Sequence, residues 1–118
     1  MEAELTATAH CGVHRYTFTT GGRNRILIDL GHTLGGKNRC NSAFADLVAP
    51  THVSGGANYM IRYSVGKNSY NVFFDAAFSR PADGWGVWIN DESKPNCARL
   101  NAQGDHVSCG IYLEFASE

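Results

Sequence analysis

Apolar and polar residues alternate with a period of two along much of the chain, the spacing of half-buried β-strands. Tyr16 and Phe18 alternate with Arg15, Thr17 and Thr19, and Ile26, Ile28 and Leu30 face away from Arg25, Leu27 and Asp29. Thr20-Gly21-Gly22-Arg23-Asn24 separates the two runs with residues that tolerate positive φ, so the pair reads as a β-hairpin. Further on, Tyr59, Ile61 and Tyr63 alternate with Met60 and Arg62 within 58–65, and Gly66-Lys67-Asn68 reads as a turn. Tyr70, Val72 and Phe74 then mark a long strand over 69–79, and Trp85 to Ile89 a short one with a tryptophan on each face. Val107, Cys109, Ile111, Leu113 and Phe115 share one face of the last strand. A turn at Gln103-Gly104 is expected to fold that strand back on Ala98–Leu100.

The segments between these runs are weaker. Leu5-Thr6-Ala7-Thr8 is β-prone, and Ser42 to Val48 fits either a strand or a helical turn, closed by Pro50. Leu34 to Asn38 and Asn90 to Asn96 read as loops, and Pro81 to Gly84 as a turn, from their glycine, proline and polar content. No stretch of ten residues or more keeps a helical period. Short strands at about 8–12-residue spacing with glycine turns predict an all-β fold, an antiparallel β-sandwich or barrel, as one domain over 1–118.

Composition narrows the partners. The 118 residues are 43% hydrophobic, enough for a core, and the net charge is −1 without a basic or acidic block. No nucleic acid or anionic membrane partner is therefore expected, and no apolar run approaches the ~20 residues of a membrane helix. Residues 1–20 lack the basic start and apolar stretch of a secretory signal, so the chain is either cytosolic or preceded by a signal upstream.

The cysteines are Cys11, Cys40, Cys97 and Cys109, with no Cys-x-x-Cys pair to suggest zinc. A hairpin centred on Gln103 would set Cys97 opposite Cys109, at a Cα separation of ~4.5–5.5 Å that a disulfide accepts. Four buried thiols are the alternative.

Candidate chemistry is sparse. The histidines are His10, His14, His32, His52 and His106; none falls in a His-x-His or His-Glu-x-x-His pattern, and none is assigned as a metal ligand. His32 stands out because it follows a strand end in Asp-Leu-Gly-His, where loops carry function, although it could equally bond a neighbouring carbonyl. Trp88 could offer a flat platform to a sugar face, with Trp85 turned into the core. Asp29, Asp75 and Glu114 read as sheet-face or salt-bridge residues, and no nucleophile elbow or phosphate loop is present. No catalytic residue is assigned.

Four blocks carry a family likeness: Glu-Leu-Thr-Ala-Thr (4–8), His-Arg-Tyr-Thr-Phe (14–18), Ile-Leu-Ile-Asp-Leu-Gly-His (26–32) and Phe-Ser-Arg-Pro-x-x-x-Trp-Gly (78–86). In this order and spacing they resemble the N-terminal domain of glycoside hydrolase family 92, the exo-acting α-mannosidases. Thr19 stands where that family often has proline, and Cys11 and Cys40 fall outside its pattern. The resemblance implies a β-sandwich, here a partial one, that packs against a C-terminal (α/α)₆ barrel. It places the acid and base carboxylates and the calcium ligands in the barrel, so this chain would hold no cofactor of its own. It further implies α-mannoside glycans as substrate, the barrel as partner, and an exported parent protein. A free-standing mannose-binding module using His32 or Trp88 is the second expectation, and an interaction domain without a sugar ligand the third.

Overall fold

The computed structural model describes residues 1–19, 21–33, 38–63 and 66–116. Ten strands follow in order: β1 (Glu2–Ala7), β2 (Gly12–Thr17), β3 (Arg23–Asp29), β4 (Arg39–Ala49), β5 (His52–Tyr63), β6 (Gly66–Ala77), β7 (Gly84–Ile89), β8 (Glu92–Pro95), β9 (Arg99–Gln103) and β10 (Cys109–Ala116). Two four-stranded antiparallel sheets, β3-β10-β7-β8 and β6-β5-β4-β9, form a sandwich; β1 and β2 pair separately. The fold is all-β and antiparallel, as the two-residue period requires.

β10 organises the first sheet because both of its faces are covered. Its inward side chains Cys109, Ile111, Leu113 and Phe115 are buried, as their shared face predicts. Across the ladder Ile111 lies between Ile28 and Val87, and Leu113 between Ile26 and Trp85. On the outer face Trp88 lies over Gly110 and Tyr112 over Gly86, where a Cβ would come 2.2 Å from the Trp88 ring or the Tyr112 hydroxyl. Arg25 stacks on Tyr112 at 4.3 Å and, with Arg23, faces Glu114. The second sheet offers small inward groups, Ala43 and Ala45 of β4, Ala57 of β5 and Ala102 of β9, beside Val53 and Leu100. Small residues on one sheet facing large ones on the other let the layers interdigitate. No polar or charged residue is buried among those described.

Three expectations are corrected. β2 and β3 do not form a hairpin: β2 pairs with β1, and β3 pairs with β10. The reason is partner quality, since β10 offers Ile111 and Leu113 to Ile28 and Ile26, whereas the apolar side chains of β2 are Val13 and Tyr16 alone. The expected last hairpin is also absent, because β9 pairs with β4 in the other sheet. That removes the register that set Cys97 opposite Cys109, and Cys11, Cys40, Cys97 and Cys109 are all unbonded in this structure. Lastly, Asn90–Asn96 is not all loop: Asn90 (φ 54°) turns the chain and β8 pairs with β7. Asparagine is among the residues most able to adopt that conformation, and Pro95 is tolerated because β8 is an edge strand.

The ambiguous segment 42–48 resolves as part of β4. β5 and β6 are longer than expected, and the predicted turn at Gly66–Asn68 lies within β6. The loop read at Leu34–Asn38 and the turn residue Thr20 fall largely outside the described residues. Among those described, no helix is long and apolar enough to cross a membrane.

Candidate functional site

At the end of β3 the chain leaves the sheet through Leu30, Gly31 and His32, beside the segment entering β10. The two segments enclose an open cleft of about 220 Å³, lined by Asp29, Gly31, His32, Thr33, His106, Val107 and Ser108. Asp29 builds it. Its Oδ1 accepts the backbone N–H groups of Gly31 and His32, both at 3.1 Å, closing a turn of the kind that aspartate favours. The Gly31 backbone lies so close to β10 that a Cβ would sit 2.6 Å from the Val107 carbonyl oxygen. The Cys109 carbonyl accepts from Leu30 and Gly31 at 3.0 and 3.1 Å.

The second sheet supports this turn from below. Tyr59 of β5 donates its hydroxyl to the Leu30 carbonyl at 2.7 Å, so one side chain spans the sandwich under the His32 loop. Burial pushes its hydroxyl pKa up to about 12, with the neighbouring Cys40 adding to the effect. The opposite wall is set by His106, at φ 69°, and by the Ser108 N–H, which Asn90 Oδ1 accepts at 3.2 Å.

His32 is exposed in this cleft, and its backbone N–H, not its ring, makes the local hydrogen bond to Asp29. Trp88 is half-buried on the outer face of the sheet. Gly110 pairs with Asp29 on one side and Trp88 on the other, so these three positions form one row across that face. The fold therefore brings His32 and Trp88 to the same end of one sheet. Trp85 points inward and packs, half-buried, on the core. Cys97 and Cys109 are not brought together as ladder partners.

His106 and Ser108 join the cleft without a motif to mark them, because their placement depends on the return of the last strand beside β3. Asp29, read as a sheet-face or salt-bridge residue, stands at the end of that face and also holds the loop. The cleft contains one carboxylate, whereas most glycoside hydrolysis uses two, ~5–9.5 Å apart. It is smaller than the ~300–1,000 Å³ of most small-molecule pockets. Imidazole, hydroxyl and carboxylate groups at an open mouth suit hydrogen bonding to a polyhydroxy ligand held partly by another surface. No group of three or more His, Cys, Asp or Glu side chains converges as a metal site among the described residues.

A second surface lies on the outer face of the β6-β5-β4-β9 sheet. Phe44 and Phe73 flank Gly56 with ring centroids 6.4 Å apart, and Phe73 is 71% exposed. Beside them Asn41 donates to Asn58 and Asn58 to Asn71, at 2.9 and 2.8 Å, an amide ladder across three strands.

No curated protein and no solved structure matches the chain. The family model of the glycosyl hydrolase family 92 N-terminal domain matches residues 1–118, the whole of it. Four ordered sequence blocks, a two-sheet antiparallel fold and this end-to-end match converge: the chain belongs to the family of glycosyl hydrolase family 92 N-terminal domains.

Proposed function

We propose that this domain is non-catalytic, supports the (α/α)₆ barrel of a family 92 α-mannosidase and shapes the mouth of its mannoside pocket through the His32 cleft. The observation that carries the reading is the family match over residues 1–118. The cleft is consistent with it, being open and furnished with one carboxylate, so it needs an opposing surface to enclose a sugar. The support role draws on the exposed apolar side chains of β4 and β6, among them Phe44, Tyr70, Val72 and Phe73. Such surface is stabilised when another domain covers it.

The test uses the domain joined to a family 92 catalytic barrel, with α-1,2-mannobiose as substrate. His32→Ala is expected to raise KM several-fold while kcat stays within about twofold, the pattern of lost ground-state and transition-state binding together. If His32→Ala and Trp88→Ala both leave KM unchanged, the cleft is no part of the pocket.

A second reading, a free-standing mannose-binding module, is favoured by the row that sets Trp88 beside the cleft. Calorimetry of the isolated domain with mannose and α-1,2-mannobiose decides it; no heat at millimolar sugar removes it.

A further inference from the structure

We propose that Cys40 and Cys109 are the disulfide pair of this fold, a bond that ties one sheet of the sandwich to the other. The two residues belong to different sheets, Cys40 to β4 and Cys109 to the first position of β10. Both are completely buried. Each thiol is among the groups that perturb the other's ionisation, which fits two neighbouring side chains between the sheets.

The backbone holds them there. The Val107 N–H donates to the Cys40 carbonyl at 3.0 Å, two residues before Cys109. The Cys109 carbonyl is fixed in turn by the Leu30 and Gly31 amides. Neither remaining thiol shares this setting. Cys11 is exposed in the turn between β1 and β2, and the Cys97 thiol donates to the Arg99 carbonyl at 3.1 Å.

The chemistry is thiol–disulfide exchange with a disulfide oxidant such as oxidised glutathione. One cysteine, as its thiolate, attacks the oxidant and expels a glutathione thiolate, leaving a mixed disulfide. The second cysteine then attacks the protein sulfur and expels the second glutathione. Two protein thiols are oxidised by two electrons, their two protons leave, and one oxidised glutathione becomes two reduced ones.

In the folded chain neither sulfur is reachable, and burial pushes the Cys109 thiol up to about 12, so its thiolate is scarce. The bond therefore closes while the chain folds, not afterwards. It cross-links positions about 70 residues apart, and on the chain-entropy account a loop of that length raises Tm by on the order of 10 °C.

The test uses the Cys11→Ser/Cys97→Ser chain, whose two substitutions lie outside the contact. It is produced by export to an oxidising bacterial periplasm and, separately, refolded in a glutathione redox buffer. After alkylation under denaturing conditions and digestion without reductant, the peptides of Cys40 and Cys109 are expected joined, two hydrogens lighter than their sum. Tm should fall by on the order of 10 °C when reductant is added. The wild-type chain treated in the same way should give the same linked peptide, with Cys11 and Cys97 alkylated. Recovery of Cys40 and Cys109 as separate alkylated peptides, pairing of either with Cys11 or Cys97 in the wild type, or a linked form that melts lower than the reduced one would overturn the proposal.

Discussion

Gly31 shows how narrowly the cleft is built. Any side chain there meets backbone, with the Val107 carbonyl 2.6 Å from the added Cβ and the Cys109 nitrogen 2.8 Å away. Backbone cannot swing aside like a flexible side chain, so Gly31→Ala is expected to cost about 1–3 kcal/mol in urea unfolding. Tyr59 works on the same turn from the other sheet. Tyr59→Phe removes the donor to the part-buried Leu30 carbonyl and should cost about 1 kcal/mol, measured the same way. A stability within 0.3 kcal/mol of wild type, roughly the limit of such a comparison, would mean that the bond does not hold the loop.

The part-buried Tyr59 hydroxyl and the buried Cys109 thiol also set a pH dependence. Burial raises Cys109 from 9.0 and Tyr59 from 10.0, each to about 12. The folded chain therefore keeps protons that the unfolded chain gives up at lower pH. Their contribution to stability is complete below about pH 9 and is lost as pH rises from there through about 12. In reducing buffer the urea midpoint at pH 10.5 is expected to lie below that at pH 8. Equal midpoints would show that neither group is buried in its protonated form.

At the scale of elements, the strands were legible because their side-chain alternation is a local property. Ile26, Ile28 and Leu30 face one way whichever strand lies beside them, and so do the buried residues of β10. Pairing is not local, and there the reading of the chain failed. Gly21-Gly22 is a good place to reverse, yet β3 turns away from β2 to reach Leu113 and Ile111. Gln103-Gly104 likewise carries β9 and β10 into different sheets. The cleft was half legible for the same reason. His32 follows from its place after a strand end, while His106 and Ser108 become its neighbours only through the return of β10.

The β1–β2 hairpin gives a prediction at this scale. Among the described residues its strands contact one another and no strand of the sandwich, and Leu5 and Val13 stay exposed. Removing residues 1–19 should leave the circular dichroism of the sandwich intact and shift Tm by only a few degrees. A chain that no longer folds would show that the hairpin is part of the core structure.

For the whole molecule, dimensions of 53 × 32 × 24 Å and a radius of gyration of 15.4 Å exceed the roughly 13.5 Å of a compact domain of this length. The excess reflects the separate hairpin and the two 12-residue strands β5 and β6. β6 is an edge strand and carries exposed Tyr70, Val72 and Phe73, a template for another strand or another domain. The isolated chain is expected to self-associate, and Phe73→Lys to shift it towards monomer in light scattering. A monodisperse, thermally robust wild-type monomer would argue that this edge needs no cover.

The central proposal is that the domain serves an α-mannosidase without performing its chemistry. The direct measurement is hydrolysis of a chromogenic α-mannoside by this chain alone, by a family 92 barrel alone, and by the two joined. No turnover is expected from the chain alone, and the joined protein should show a kcat/KM at least about tenfold above that of the barrel. Turnover by the chain alone, or a barrel that works equally well without it, would contradict the proposal.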